Sequence, residues 1–185
     1  MIEALRTSEV KRIMKLTVDD LLARQEIEDV IYRYARGIDR LDLEAVRSCY
    51  HADAYDDHGA FKGTVDEFLE AAKAFLPKWT ATQHFMGNML IEIEGDIAKA
   101  ETYAVAYHRL EDGDGSGKDD IMGIRYVDRF EKRNGDWKIS HRVVVTEWRR
   151  VDPVKGARGR NKIGVWGSRD SNDAINWIMN AGSPN

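Results

Sequence analysis

Near Thr80 the spacing of apolar residues changes from that of a helix to that of a strand, and this switch restricts the possible folds more than any other feature of the chain. Before it, Ile27, Val30, Ile31, Tyr34 and Ile38 recur at helical spacing. Phe68, Leu69, Ala72, Phe75 and Leu76 do so again until Pro77 ends the run. After it, a period of two covers about 81–93, 97–110, 121–132 and 137–149. The breaks are turn sequences: Glu94-Gly95-Asp96, a loop rich in glycine and aspartate, and Arg133-Asn134-Gly135-Asp136. Asn134-Gly135 is a strong signal for a tight hairpin. Helices followed by consecutive hairpins predict an α+β fold: a cone-shaped, curved antiparallel sheet with three helices packed on its concave face. Such a cone encloses a cavity.

Capping residues set the helix starts. Thr17 to Asp20 forms a capping box, in which hydroxyl and carboxylate satisfy unpaired backbone N–H groups, so the first helix begins near Val18. Asp42 caps a short second helix carrying Leu43, Val46, Cys49 and Tyr50. Residues 53–63, with Tyr55, His58 and Phe61, suit a brief strand pair, and Thr64 to Glu67 is a second capping box. Residues 1–16 form a loose or weakly helical lead in which Met14 is an alternative start. Beyond Arg150 the alternation dissolves. We expect a domain over 17–150 and an extension over 151–185, with a short helix around Asp170 to Met179 capped near Ser171 or Asn172. That extension could close the cavity mouth or meet a neighbouring subunit.

With 185 residues the chain suffices for one such domain. No apolar run approaches the roughly 20 residues needed to cross a bilayer, so no membrane association is expected. A formal net charge of -4 argues against a nucleic-acid partner, which calls for a basic face. A single cysteine, Cys49, and a start without an apolar leader fit a cytoplasmic location.

Two titratable residues carry the chemistry. Asp39 ends the first helix and His84 stands at the head of the first long strand. A carboxylate holding one imidazole nitrogen leaves the other free to take a proton near neutral pH, a common way to build a general base. At roughly 100° per residue, Tyr34 lies mid-stripe and Asp39 about 100° from its centre. Asp39 is therefore buried only if the sheet closes over it. Ala98, Ala100, Thr102, Ala104, Ala106 and His108 share one strand face, whose small side chains leave room for a helix or a ligand.

Other motifs favour plainer readings. Asp112-Gly113-Asp114-Gly115-Ser116-Gly117 copies half of a calcium-binding loop, but Gly123 stands where the bidentate glutamate belongs, leaving a flexible hairpin loop. The histidines lack zinc-site spacing, so no metal is assigned. Without GxxxxGK[ST] or GxGxxG, no phosphate or dinucleotide cofactor is expected. Lys155, Arg158, Arg160 and Lys162 suit a solvated loop.

The element order, with Tyr34-Ala35-Arg36-Gly37-Ile38-Asp39, Gln83-His84-Phe85-Met86-Gly87-Asn88 and the Tyr126 to Trp137 hairpin, resembles the SnoaL-like branch of the NTF2-like superfamily over about residues 17–150. Within it the chain is similar to lyases such as scytalone dehydratase, bile acid 7α-dehydratase and lindane dehydrochlorinase. The resemblance implies that His84 is the base, Asp39 its orienter and Tyr34 a hydroxyl donor or substrate contact. Where those dehydratases place a second tyrosine, this chain has His58, with Tyr55 as the alternative. The arginine that bile acid 7α-dehydratase carries on its last strand falls on Thr146, and Arg142 shares its parity. With His108, these five form the expected substrate contacts.

The implied activity is that of a cofactor-independent lyase acting on an apolar, ring-containing (aromatic or steroid-like) small molecule and eliminating water, halide or a one-carbon fragment such as formaldehyde. An isomerase or polyketide cyclase would use the same base. A non-catalytic subunit, as in ring-hydroxylating dioxygenases, needs none. The resemblance also implies a homo-oligomer, dimer or trimer, formed through the outer face of the sheet.

Overall fold

A computed structural model describes residues 17–155 and 164–178. Among them are three α-helices, α1 (Val18–Arg40), α2 (Leu43–Ser48) and α3 (Val65–Phe75). Six strands follow the same chain order: β1 (Tyr50–Asp57), β2 (Lys62–Thr64), β3 (Ala81–Glu94), β4 (Ile97–Glu111), β5 (Gly117–Arg133) and β6 (Asp136–Val154). They form one curved sheet in the order β2-β1-β6-β5-β4-β3. The expected α+β class holds.

Both capping boxes close. Thr17 Oγ1 accepts from Asp20 N–H at 3.1 Å while the Asp20 carboxylate accepts from Thr17 N–H at 2.9 Å. Thr64 and Glu67 do the same at 3.3 and 2.8 Å. α1 stops where Leu41 turns into the left-handed region and returns its N–H to Gly37 and Ile38, so Asp39 lies in the last turn. The stripe Ile27, Val30, Ile31, Tyr34 and Ile38 is buried. It joins one core with the small face of β4, Ala98, Ala100, Ala104 and Ala106. Each large side chain buried there stabilises by about 1.5–3 kcal/mol.

Curvature comes from irregular register. Pairing slips between Tyr50 and Tyr55 on β1, between Met86 and Met89 on β3, and at Glu147 on β6, opposite Gly123 and Ile124, and the extra residues bend their strands. The hairpin at Asn134-Gly135, both at positive φ, joins β5 to β6 as its sequence predicts.

Some details differ from the sequence expectations. Tyr50 opens β1 instead of closing the second helix, because its backbone pairs with Ile139. β1 runs parallel to β6, so the sheet is not antiparallel throughout; no hairpin joins these strands, and turn signals cannot set their direction. β6 continues past Arg150 to Val154, and Pro153 is tolerated because β1 pairs only as far along β6 as Val143. The expected helix at Asp170 to Met179 is a 3₁₀ turn, Ala174–Asn176, capped by Asp173 instead of Ser171 or Asn172. The carboxylate of Asp170 binds Ser168 Oγ and Asn172 N–H, drawing the preceding chain into local turns. The segment Asp112 to Ser116 closes as a hairpin loop. The lead 1–16, the cluster positions Arg158, Arg160 and Lys162, and Met179 lie outside the described residues.

Candidate active site

α1 delivers Asp39 to the head of β3, and the two meet at two points. Asp39 Oδ2 accepts the backbone N–H of His84 and Oδ1 accepts its ring Nδ1–H, both at 2.8 Å. A carboxylate in the last turn of a helix faces the negative end of the helix dipole, so partners must hold it there. Burial pushes the Asp39 carboxyl up, but the His84 ring and backbone N–H and the Thr82 side chain outweigh it and hold its pKa below the usual value. With Nδ1 committed, His84 Nε2 is the acceptor available to the cavity.

His84 borders a cavity of about 520 Å³ between the helices and the sheet. Phe68, Phe75, Leu76, Met122 and Val144 give it apolar walls. Five of the residues expected from sequence border it: Tyr34, His58, His84, His108 and Thr146. Tyr34, fully buried, brings its hydroxyl to 3.1 Å from His58 Nε2. On the other side of that ring Nδ1 binds Asp56, whose second oxygen accepts the Tyr50 hydroxyl at 2.7 Å. Burial, and next the neighbouring Tyr126, push the Tyr34 phenol well above its ordinary pKa.

A second polar group lies beyond His84. The His108 ring packs edge-on against His84 at 5.4 Å, and burial, then the charge of His84, lower its pKa to about 4, leaving it neutral at neutral pH. Asp120, across from His108 on β5, is held by Arg149 through two bonds of 2.8 and 2.5 Å, which lower its pKa. Trp79 adds an indole N–H that is buried without a hydrogen-bond partner among the described residues.

Tyr55 and Arg142 are the two expected contacts that do not reach the cavity. Tyr55 points out of the sheet, half-exposed against His141, because Ala54 and Asp56 take the inward positions of β1. Arg142 does face inward but lies completely buried, bidentate on Asp128 at 2.7 Å. Its guanidinium lies 4.0 Å from the Tyr34 ring and 4.3 Å from that of Tyr126, forming the floor beneath them.

Sequence reasoning passed over four residues. Asp56 could have been found by counting back two from His58 along one strand face. Asp120 shares the inward parity of Met122, Ile124 and Tyr126 on β5, across from His108, and could have been found by counting along that face. Arg149 was hidden by the β5–β6 bulge: Ile124 pairs with Thr146 but Gly123 with Trp148, so Glu147 is extra and the inward parity moves to Arg149. Gly123 is what allows it, since any Cβ there would stand 2.1 Å from the Trp148 indole nitrogen. Arg169, in the extension, donates to the carbonyls of Asp39 (3.2 Å), Leu76 (3.4 Å) and Trp79 (2.6 Å) and to Thr82 Oγ1 (2.8 Å). No motif marks it.

The outer face of the sheet has its own hollow, about 670 Å³, bordered by Phe85, Tyr103, Val105 and Trp148. Its charged groups, Arg125 and Glu147, are paired with each other at 2.6 Å, so the imidazole chemistry belongs to the inner cavity. No group of three or more His, Cys, Asp or Glu side chains among the described residues is arranged to hold a metal ion. No helix among them is long and apolar enough to cross a membrane.

The sequence matches a SnoaL-like domain over residues 19–143. An uncharacterised protein of Mycobacterium tuberculosis is 22% identical over 131 residues, 69% of this chain and 88% of that protein. A crystal structure of a scytalone dehydratase candidate from Novosphingobium aromaticivorans superposes with a TM-score of 0.67 at 20% identity, covering 80% of this chain and all of that one. LinA type 3, a hexachlorocyclohexane dehydrochlorinase from Novosphingobium barchaimii, gives 0.65 at 20% identity, covering 75% and 94%. At such identities these structures share the fold.

Proposed function

This chain belongs to the SnoaL-like domain family, and on that premise we propose that it is a lyase in which His84, oriented by Asp39, removes a proton from an apolar, ring-containing substrate that then expels a leaving group. The observation that carries this reading is the two-point Asp39–His84 bond beside an open, apolar-walled cavity. Asp39 fixes the ring tautomer and balances the imidazolium that forms. A volume of about 520 Å³ lies within the ~300–1,000 Å³ range of small-molecule sites, so an aromatic or fused-ring body fits.

The leaving group is water, halide or, in a retro-aldol variant, formaldehyde, and the product an alkene. In this reading the side chains act without cofactor or metal. An oligomer would form on the outer hollow, where Phe85, Tyr103 and Trp148 are exposed. Mass spectrometry on aryl compounds bearing a β-hydroxyl or β-chloride tests the reaction. Loss of water or HCl supports it, and a product of unchanged mass would assign the same base to an isomerase or cyclase instead.

A further inference from the structure

One helix serves two imidazoles from opposite edges of the sheet. Asp39 binds His84 of β3, the edge strand on one side. Tyr34 meets His58, which follows β1 near the other edge. His58 is itself held by a carboxylate, Asp56, which is completely buried and fixed by the Tyr50 hydroxyl. A second carboxylate–imidazole pair thus borders the same cavity, ending in a phenol in place of an open nitrogen.

We propose that Asp56 and His58 form a proton supply behind Tyr34, so that Tyr34 protonates the leaving oxygen while His84 takes the carbon-bound proton. The proposal rests on the elimination reading and deepens it. His84 Nε2 accepts the proton, the C–H electron pair becomes the new C=C bond, and the C–O bond breaks with its pair on oxygen. That oxygen takes the Tyr34 hydroxyl proton, and the Tyr34 oxygen takes the proton of His58 Nε2–H. His58 ends neutral and His84 protonated, and exchange with water restores both.

Three observations support this division of labour. An aqueous hydroxide is a poor leaving group, so a dehydrating site needs an acid as well as a base. Tyr34 alone is a weak acid, since burial disfavours its phenolate, and it must be resupplied as it gives its proton away. The surroundings of His58 leave Tyr34 as its outlet: Phe68 stacks on one face at 4.6 Å, Tyr126 stands edge-on at 6.5 Å, and Asp57 is engaged by Lys62. Arg142, behind Tyr34, is committed to Asp128. His58 and Asp56 therefore act through Tyr34 as positioning residues.

The test uses two aryl substrates with one skeleton, one losing hydroxide and the other chloride, which departs without a proton. His58→Gln and Tyr34→Phe should each lower kcat on the hydroxyl compound by about 10²-fold more than on the chloride compound, with the double variant no worse than either. His84→Gln should fail on both. Nitrogen-15 NMR of the full chain should find the His58 proton on Nδ1 in the neutral ring, with the Nε2 resonance moving in Tyr34→Phe. Equal losses on both substrates, additive losses, or a proton on Nε2 of neutral His58 would overturn the relay while leaving the base in place. A wild type that eliminates neither compound would overturn the lyase reading and the relay with it.

Discussion

Tyr34 and Asp39 stand on one helix, about 140° apart at ~100° per residue, and each ends on a histidine from a different arm of the sheet. Tyr34 reaches His58 at 3.1 Å and Asp39 reaches His84 at 2.8 Å. The curved sheet wraps far enough around α1 to bring both edges within reach of its last two turns. A flat sheet would present one edge to the helix, and the other imidazole would be lost to solvent.

The floor of this arrangement is an ion pair with no exposed surface. Arg142→Ala would strand the Asp128 carboxylate in the core, at a cost of about 3–5 kcal/mol. Replacing both partners together, Arg142→Met with Asp128→Leu, should cost much less. Urea unfolding of the two variants measures the difference.

His108 gives stability a pH dependence of known sign. Its pKa is about 4 when folded and about 6.5 when unfolded, so between those values the unfolded chain binds the extra proton and stability falls as pH falls. Below about pH 4 both forms are protonated and this loss levels off. The full drop is at most about 3.5 kcal/mol, at ~1.4 kcal/mol per pH unit. Unfolding curves from pH 7 to 4 should show it, and His108→Phe should flatten it.

Arg149 holds Asp120 at the His108 end of the cavity by two short bonds. Arg149→Ala leaves that buried carboxylate without its cation and loosens a polar contact, not the base. KM should rise about tenfold, the equivalent of ~1.4 kcal/mol, with kcat changed little. Steady-state kinetics separate the two.

The extension contributes through Arg169, which ties the carbonyls of Asp39, Leu76 and Trp79 together and bonds Thr82. Charge-assisted bonds of this kind contribute about 1.5–3 kcal/mol. Arg169→Ala should lower the melting temperature by about 5 °C and speed amide exchange at residues 76–84. Calorimetry and hydrogen exchange check both effects.

The period switch at Thr80 and the two capping boxes made the helices, the long strands and the α+β class legible, because each depends on neighbours in sequence. The Asp39–His84 contact was legible as a pair of residue types but not as geometry. Helix periodicity leaves Asp39 off the apolar stripe, and its burial comes from a backbone N–H of β3, a contact 45 residues away. Arg149 was hidden because a bulge shifts parity, and parity also misled at Arg142: it faces inward, yet depth in the core decides what it touches. Tyr55 and Asp56 turned on a single step of strand phase.

The central claim, that His84 held by Asp39 is the base, is tested most directly by the turnover of His84→Gln on an aryl substrate that the wild type dehydrates or dehydrochlorinates. With the fold verified by circular dichroism, kcat should fall by about 10²–10⁴-fold. Turnover equal to wild type would contradict the account.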